Sequence, residues 1–134
     1  MWLDRRVTLE QALLQHNRNM VAFDLALGAG ALLAPHATLR LVFGHEGPSR
    51  DTEYWLQRCG PIWLTYAAAH LVAARRGRPE DWWALAWLRG AEIATDVVVA
   101  RSPAVTRPGA KLGLLFAGAS NLAMALGFAR LARR

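Results

Sequence analysis

Between Lys111 and Arg130 the chain runs for eighteen residues, LGLLFAGASNLAMALGFA, without a charge. A stretch of that length matches the ~20 apolar residues that carry a helix across ~30 Å of hydrocarbon. Ser120 and Asn121 are its clear polar interruptions, so it lacks the polar stripe of period 3.6 that a helix on a water-soluble bundle needs. Three further apolar stretches precede it. Residues 20–34 (MVAFDLALGAGALLA) stop at Pro35 and extend backwards in helical period to about Leu9, where Thr8 and Gln11 form a capping box. Residues 54–74 (YWLQRCGPIWLTYAAAHLVAA) hold Gly60 and Pro61 inside the run, a break that a membrane bundle tolerates. Residues 82–100 (WWALAWLRGAEIATDVVVA) complete the set.

The fold this predicts is an all-α, integral membrane four-helix bundle with short loops and an amphipathic N-terminal extension. A single domain covers residues 1–134, with spans at about 18–35, 54–75, 82–100 and 112–131. Trp2 and Leu3 are placed as an interfacial anchor, and Tyr54, Trp55, Trp82 and Trp83 fall at span ends, as an aromatic belt requires. Residues 75–81 (RRGRPED) form a tight polar turn, with Pro79, Glu80 and Asp81 starting the next helix. Residues 101–111 form a loop with two prolines. Residues 36–53 form the longest connection, and its apolar part, 37–43, reads as a short interfacial helix.

Composition agrees with this. Apolar residues make up 54% and charged residues 19%, on either side of the usual shares for a soluble domain. The mean hydropathy of +0.13 is low for a membrane protein because much of the apolar content is alanine. The single Cys59 excludes a disulfide framework and a multi-cysteine zinc site. The formal charge of +6 first suggests nucleic acid. The arginines, however, punctuate the ends of apolar segments rather than forming a basic stripe, so nucleic acid is not an expected partner. No secretory signal pattern is present, since Asp4, Arg5 and Arg6 stand where an apolar region would begin.

Seven polar side chains fall inside the spans: Asp24, Arg58, His70, Arg89, Glu92, Asp96 and Asn121. At ~1.5 Å per residue, Asp24, His70 and Arg89 share one layer. Glu92 and Asn121 lie near mid-membrane, and Asp96 meets Arg58 toward the outer side. Arg89, Glu92 and Asp96 follow i, i+3, i+7 spacing and share one helix face, which must point inward. Two arginines against three acids leave one acid over. That surplus acid is the sequence argument for a proton-linked or ligand-binding pocket, and pairs that only fix helix register are the structural alternative. Ala22, Ala26 and Gly30 on the first helix form a small-residue face, as do Gly113 with Ala117 and Ala119 with Ala123 on the fourth. His70, set among alanines in TYAAAHLVAA, is the candidate ligand should a haem or chlorophyll-type pigment be bound. Otherwise no cofactor and no metal is expected.

The mid-helix Arg58-Cys59-Gly60-Pro61 and the Arg89-Gly90-Ala91-Glu92 of the third span resemble the DoxX-like group of small four-helix bacterial membrane proteins. The resemblance extends over the whole chain as four short spans with compact turns. It implies a membrane component associated with redox or envelope physiology and assigns no catalytic residue. Asp96 and the arginine density depart from it.

The leading functional expectation is a non-enzymatic subunit or accessory or assembly factor of a larger membrane complex, since the chain has almost no soluble part to house chemistry. The second is a small homo-oligomeric carrier or enzyme for a hydrophobic or proton-coupled substrate, using the intramembrane acid, arginine and histidine layer. The third is a haem- or pigment-binding subunit. The lipid bilayer and other membrane subunits, or further copies of the chain, are the expected partners, and the bacterial inner membrane is the expected location.

Orientation follows from the basic residues. Arg5, Arg6, Arg18, Arg75, Arg76, Arg78, Arg130, Arg133 and Arg134 fall on one side, against Arg40, Arg50, Arg101, Arg107 and Lys111 on the other. That excess places both termini in the cytoplasm. Reporter fusions at Arg78 and at the C-terminus will therefore read cytoplasmic, and fusions near Pro48 and Pro108 external. Cytoplasmic readings at both Pro48 and Arg78 would rule out four spans.

Overall fold

A computed structural model describes residues 8–134. Trp2, Leu3, Arg5 and Arg6, with their anchoring and orienting roles, lie outside the described residues. The described chain is all-helical, with no strand among the described residues. Its elements are α1 (Leu9–Leu33), the short α2 (Pro35–Leu41), α3 (Arg50–Arg76), α4 (Pro79–Ala100) and α5 (Pro108–Leu131).

Local chemistry sets the boundaries. The Thr8 hydroxyl accepts from the Gln11 amide while the Gln11 side chain accepts from the Thr8 amide, so the capping box forms. Pro35, Pro79 and Pro108 each open a helix at its first position, where the missing N–H is no loss. Gly77 ends α3 in the left-handed region at φ 63°, a conformation that glycine adopts without a Cβ clash. α3 continues through Pro61, and Thr65 Oγ1 donates to the Pro61 carbonyl at 2.8 Å. Ser49 caps the other end of α3 by accepting from the Thr52 amide.

The helices pack as two pairs, α1 with α3 and α4 with α5, joined mainly through α3 and α4. α1 and α3 cross at Gly28 and Gly60. A Cβ on Gly28 would sit 2.9 Å from the Gly60 carbonyl oxygen, and one on Gly60 would sit 2.6 Å from Leu32 Cγ. The close face of α1 is therefore Asn17, Asp24, Gly28 and Ala31, all buried. This corrects the expected Ala22, Ala26 and Gly30 face: Ala22 and Ala26 are exposed. On α5 the buried small residue is Gly118, facing Asp96, whereas Gly113, Ala119 and Ala123 are exposed.

Two apolar plugs close the ends. Ala73, Trp82, Leu85, Ala86, Met124, Phe128 and Ala132 fill one, with Trp82 and Phe128 stacked at 5.6 Å. Ala31, Leu39 and Leu56, flanked by Phe43 and Trp63, fill part of the other, beside Ala100, Val105 and Leu114. There the two long loops meet at His45 and Val105.

α5 is the one helix among the described residues long and apolar enough by itself to cross a membrane. α1, α3 and α4 carry Asp24, then Arg58 and His70, then Arg89, Glu92 and Asp96 within their apolar runs, and these lower their hydropathy.

The crossing gives a direct test. Gly28→Ala will lower the melting temperature in detergent, with an overpacking cost of ~1–3 kcal/mol. Gly113→Ala, where an added Cβ meets nothing within 4 Å, will leave it unchanged or slightly raised.

Candidate functional site

The Gly28–Gly60 crossing lets polar side chains from three helices meet in the interior. Asp24 of α1, His70 of α3 and Arg89 of α4 are all buried, Asp24 and His70 completely. Arg89 Nη2 is ion-paired with Asp24 Oδ2. Arg89 also donates to His70 Nε2, from Nε at 2.9 Å and from Nη2 at 2.6 Å. Because Nε2 accepts, the ring proton belongs on Nδ1, which lies 2.5 Å from Asn17 Oδ1 and donates to it. Asn17 Nδ2 in turn donates to the His70 carbonyl at 3.1 Å. One asparagine thus holds both the ring and the backbone of the histidine. The guanidinium carbon of Arg89 lies 5.2 Å from the Tyr66 ring centroid, a cation–π distance.

The other expected residues separate into two groups. Glu92 and Asp96 lie on the same side of α4 as Arg89 and are partly buried. Asp96 Oδ2 accepts from Asn121 Nδ2 of α5 at 2.8 Å. Tyr66 and Trp63 of α3 are the polar side chains within reach of the Glu92 carboxylate. Arg58 does not join them. It is exposed, 5.9 Å from the Trp55 ring, and the expected Arg58–Asp96 pair is absent. The reason is rotational: Leu56 and Gly60 face α1, so the residue midway between them points outward.

Asn17 is the member that sequence reasoning missed. It was assigned to an amphipathic segment near the headgroups. It stands seven residues before Asp24, on the same helix face, and that spacing was the available signal.

His70 does not fit an axial ligand. Both ring nitrogens are hydrogen-bonded and the side chain is fully buried, so no lone pair is free for a metal. No group of three or more His, Cys, Asp or Glu side chains placed to hold a metal ion occurs among the described residues.

Beside this network lies a cavity of about 730 Å³. Its walls are α1, through His16, Met20, Phe23 and Leu27, and α5, from Gly109 to Met124. Its floor is Asp24, Arg89, Glu92 and Asp96, with Ser120 and Asn121 at the side. Phe23 and Phe116 line it and are 53% and 75% exposed, so they flank a mouth between α1 and α5. The arrangement is a mostly apolar chamber with charged and hydrogen-bonding groups on its floor. Such a chamber can hold a hydrophobic molecule and orient one polar group of it.

The chain matches no protein-family model, and comparison with curated proteins and with solved structures returns no match.

The network ranks the arginines. Arg89→Ala strands Asp24 in the interior, and losing one partner of a buried pair costs ~3–5 kcal/mol. Arg58→Ala, on the surface, will cost under ~1 kcal/mol. Melting in detergent measures both, and equal losses would reject this ranking.

Proposed function

We propose that the protein is a membrane-embedded helical bundle that binds a hydrophobic small molecule in the cavity between α1 and α5, as a carrier or an enzyme for that substrate. The observation that carries the reading is the cavity itself: an apolar chamber whose floor is a charged network held by three helices.

Placement in a membrane is supported by an inverted distribution of polarity. Asn17, Asp24, Thr38, His70, Arg89 and Asn121 are buried, while Phe23, Leu25, Ile62, Leu71, Trp87, Val98, Phe116, Leu122 and Leu126 are exposed. Water-soluble folds do the reverse. Within residues 19–34, 59–74, 82–100 and 112–129 no charged side chain is exposed. Those windows of 16 to 19 residues rise about 24–29 Å, close to a hydrocarbon thickness. The exposed arginines of the described residues lie outside these windows, at Arg18, Arg40, Arg50, Arg75, Arg76, Arg78, Arg101, Arg107, Arg130, Arg133 and Arg134, with Arg58 one residue before the second window. In α5, 28% of the apolar window is buried inside the molecule, whereas the core helix of a soluble fold is mostly buried.

The experiment is extraction in mild detergent followed by native mass spectrometry. The wild-type chain will retain a small-molecule adduct, and Ala117→Trp, which fills the cavity wall, will lose it at an unchanged melting temperature. Equal retention by both proteins would reject the cavity as the site. A polypeptide co-purifying in place of the adduct would favour an accessory subunit.

A further inference from the structure

The floor of the cavity is not electrically balanced. Three carboxylates, Asp24, Glu92 and Asp96, line it together with one buried guanidinium, Arg89. Arg89 is already committed to Asp24 Oδ2 and His70. The remaining partners are neutral: Asn121 donates to Asp96, and Tyr66 and Trp63 face Glu92. Arg107, at the outer end of the cavity, is exposed and solvated, so its charge is screened from the floor.

A second observation points independently to a ligand. Asp24 Oδ1 is buried and has no hydrogen-bond donor, although Asp24 is completely buried and lines the cavity. Buried carboxylate oxygens are normally satisfied, and an unsatisfied one costs free energy until a donor arrives. The cavity supplies the space from which that donor would come. Aromatic rings of Phe23, Phe43, Trp63 and Phe116 also line it, and their faces attract cations.

We propose that the cavity takes a lipophilic amine in its ammonium form, with an N–H donated to Asp24 Oδ1 and the positive charge held against Glu92 and Asp96. This rests on the cavity being a ligand site and names the class of that ligand. An anionic headgroup would add like charge to the floor. A neutral alcohol would supply a donor but leave the charge uncompensated.

The charge balance couples binding to protons. Because Asp24 already balances Arg89, a floor without a bound cation is neutral only when Glu92 and Asp96, four residues apart on one helix, each hold a proton. Each ammonium that enters displaces one proton to solvent, and its departure lets one return. The titratable groups lining the cavity besides Glu92 and Asp96 are His16 and Asp24 from α1, Arg89 from α4 and Arg107 before α5, with His70 of α3 bonded to Arg89 behind them. α5 contributes only Ser120 and Asn121. Ammonium binding therefore weakens as pH falls, because protons compete for the same carboxylates.

The test is calorimetric titration of the protein in lipid nanodiscs, with empty nanodiscs as blank, using dodecylamine, dodecanol and dodecanoate. A primary ammonium titrates near pH 10, so the amine stays charged at about pH 6 and about pH 8. At the higher pH dodecylamine will bind at least about ten-fold more tightly than dodecanol, and the preference will shrink several-fold at the lower pH. Heats in buffers of different ionisation enthalpy will report proton release. The double variant Glu92→Gln with Asp96→Asn keeps the Asp24–Arg89 pair, and it will lose the preference for the amine while still binding dodecanol. Equal binding of dodecylamine and dodecanol, or preference for dodecanoate, with both blocked by Ala117→Trp, would overturn the amine and leave the cavity as a ligand site. Binding unaffected by Ala117→Trp would overturn both.

Discussion

The Arg89 guanidinium is the interaction on which the rest of the structure depends. A charge removed from water must find its counter-charge and its acceptors inside the molecule. Arg89 takes the counter-charge from α1, through Asp24, and the acceptor from α3, through His70. Asn17 then ties His70 back to α1, so the three helices are fixed in height and rotation by one connected set of hydrogen bonds. Desolvation offsets much of the attraction in such a pair, so its main effect is on register rather than on net stability. The short distances it needs are permitted by the Gly28–Gly60 crossing, where a side chain on either residue would push the helices apart.

The orientation of Arg89 also determines the cavity. Glu92 and Asp96 follow it on the same side of α4, so turning Arg89 toward α1 and α3 turns the two acids toward the space in front of α5. α5 approaches α4 at Gly118, where an added Cβ would touch Asp96 at 3.5 Å, and at the stacked Trp82 and Phe128. It meets α1 at the end that holds the Trp82 and Phe128 plug, where Leu13 lies against Gly127 and His16 Nε2 is 3.5 Å from Ser120 Oγ. Beyond those contacts residues of both helices line the chamber.

What the sequence made legible is what local chemistry and spacing control. The Thr8 box, Pro35 and the RRGRPED turn with Pro79 mark helix ends in the sequence as they do in the structure, whereas Pro108, expected within the 101–111 loop, opens α5. Counting depth along helices also brought Asp24, His70 and Arg89 to one level. What stayed illegible is the rotation of each helix about its axis. Periodicity says which residues share a face but not which neighbour that face meets. Depth alone therefore pairs Arg58 with an acid at its own level, although Gly60 turns it outward, and four-residue spacing points to Ala22 and Ala26 for a packing face that Gly28 supplies. The cavity was invisible for the same reason, since a void belongs to no single helix.

The division of charge among the helices bears on how a ligand would enter. α5 carries no ionisable side chain between Lys111 and Arg130, and the ion network is shared by α1, α3 and α4 alone. Separating α5 from α1 would disturb the packing of Leu13, Leu14 and Met20 against the Met124 and Phe128 plug, the long His16–Ser120 contact and the exposed Glu10–Arg134 pair, but no bond to Arg89. An exposed pair contributes well under ~1 kcal/mol. Separating α1 from α4 would instead break the buried Asp24–Arg89 pair, and separating α1 from α3 would break the buried Asn17–His70 bonds; losing the pair costs several-fold more. The ion network therefore does not lock α5 to α1, on the side where the apolar wall meets the charged floor. A molecule entering between α1 and α5 would reach the cavity beside Asp24 without breaking the bonds that hold Asp24 in place.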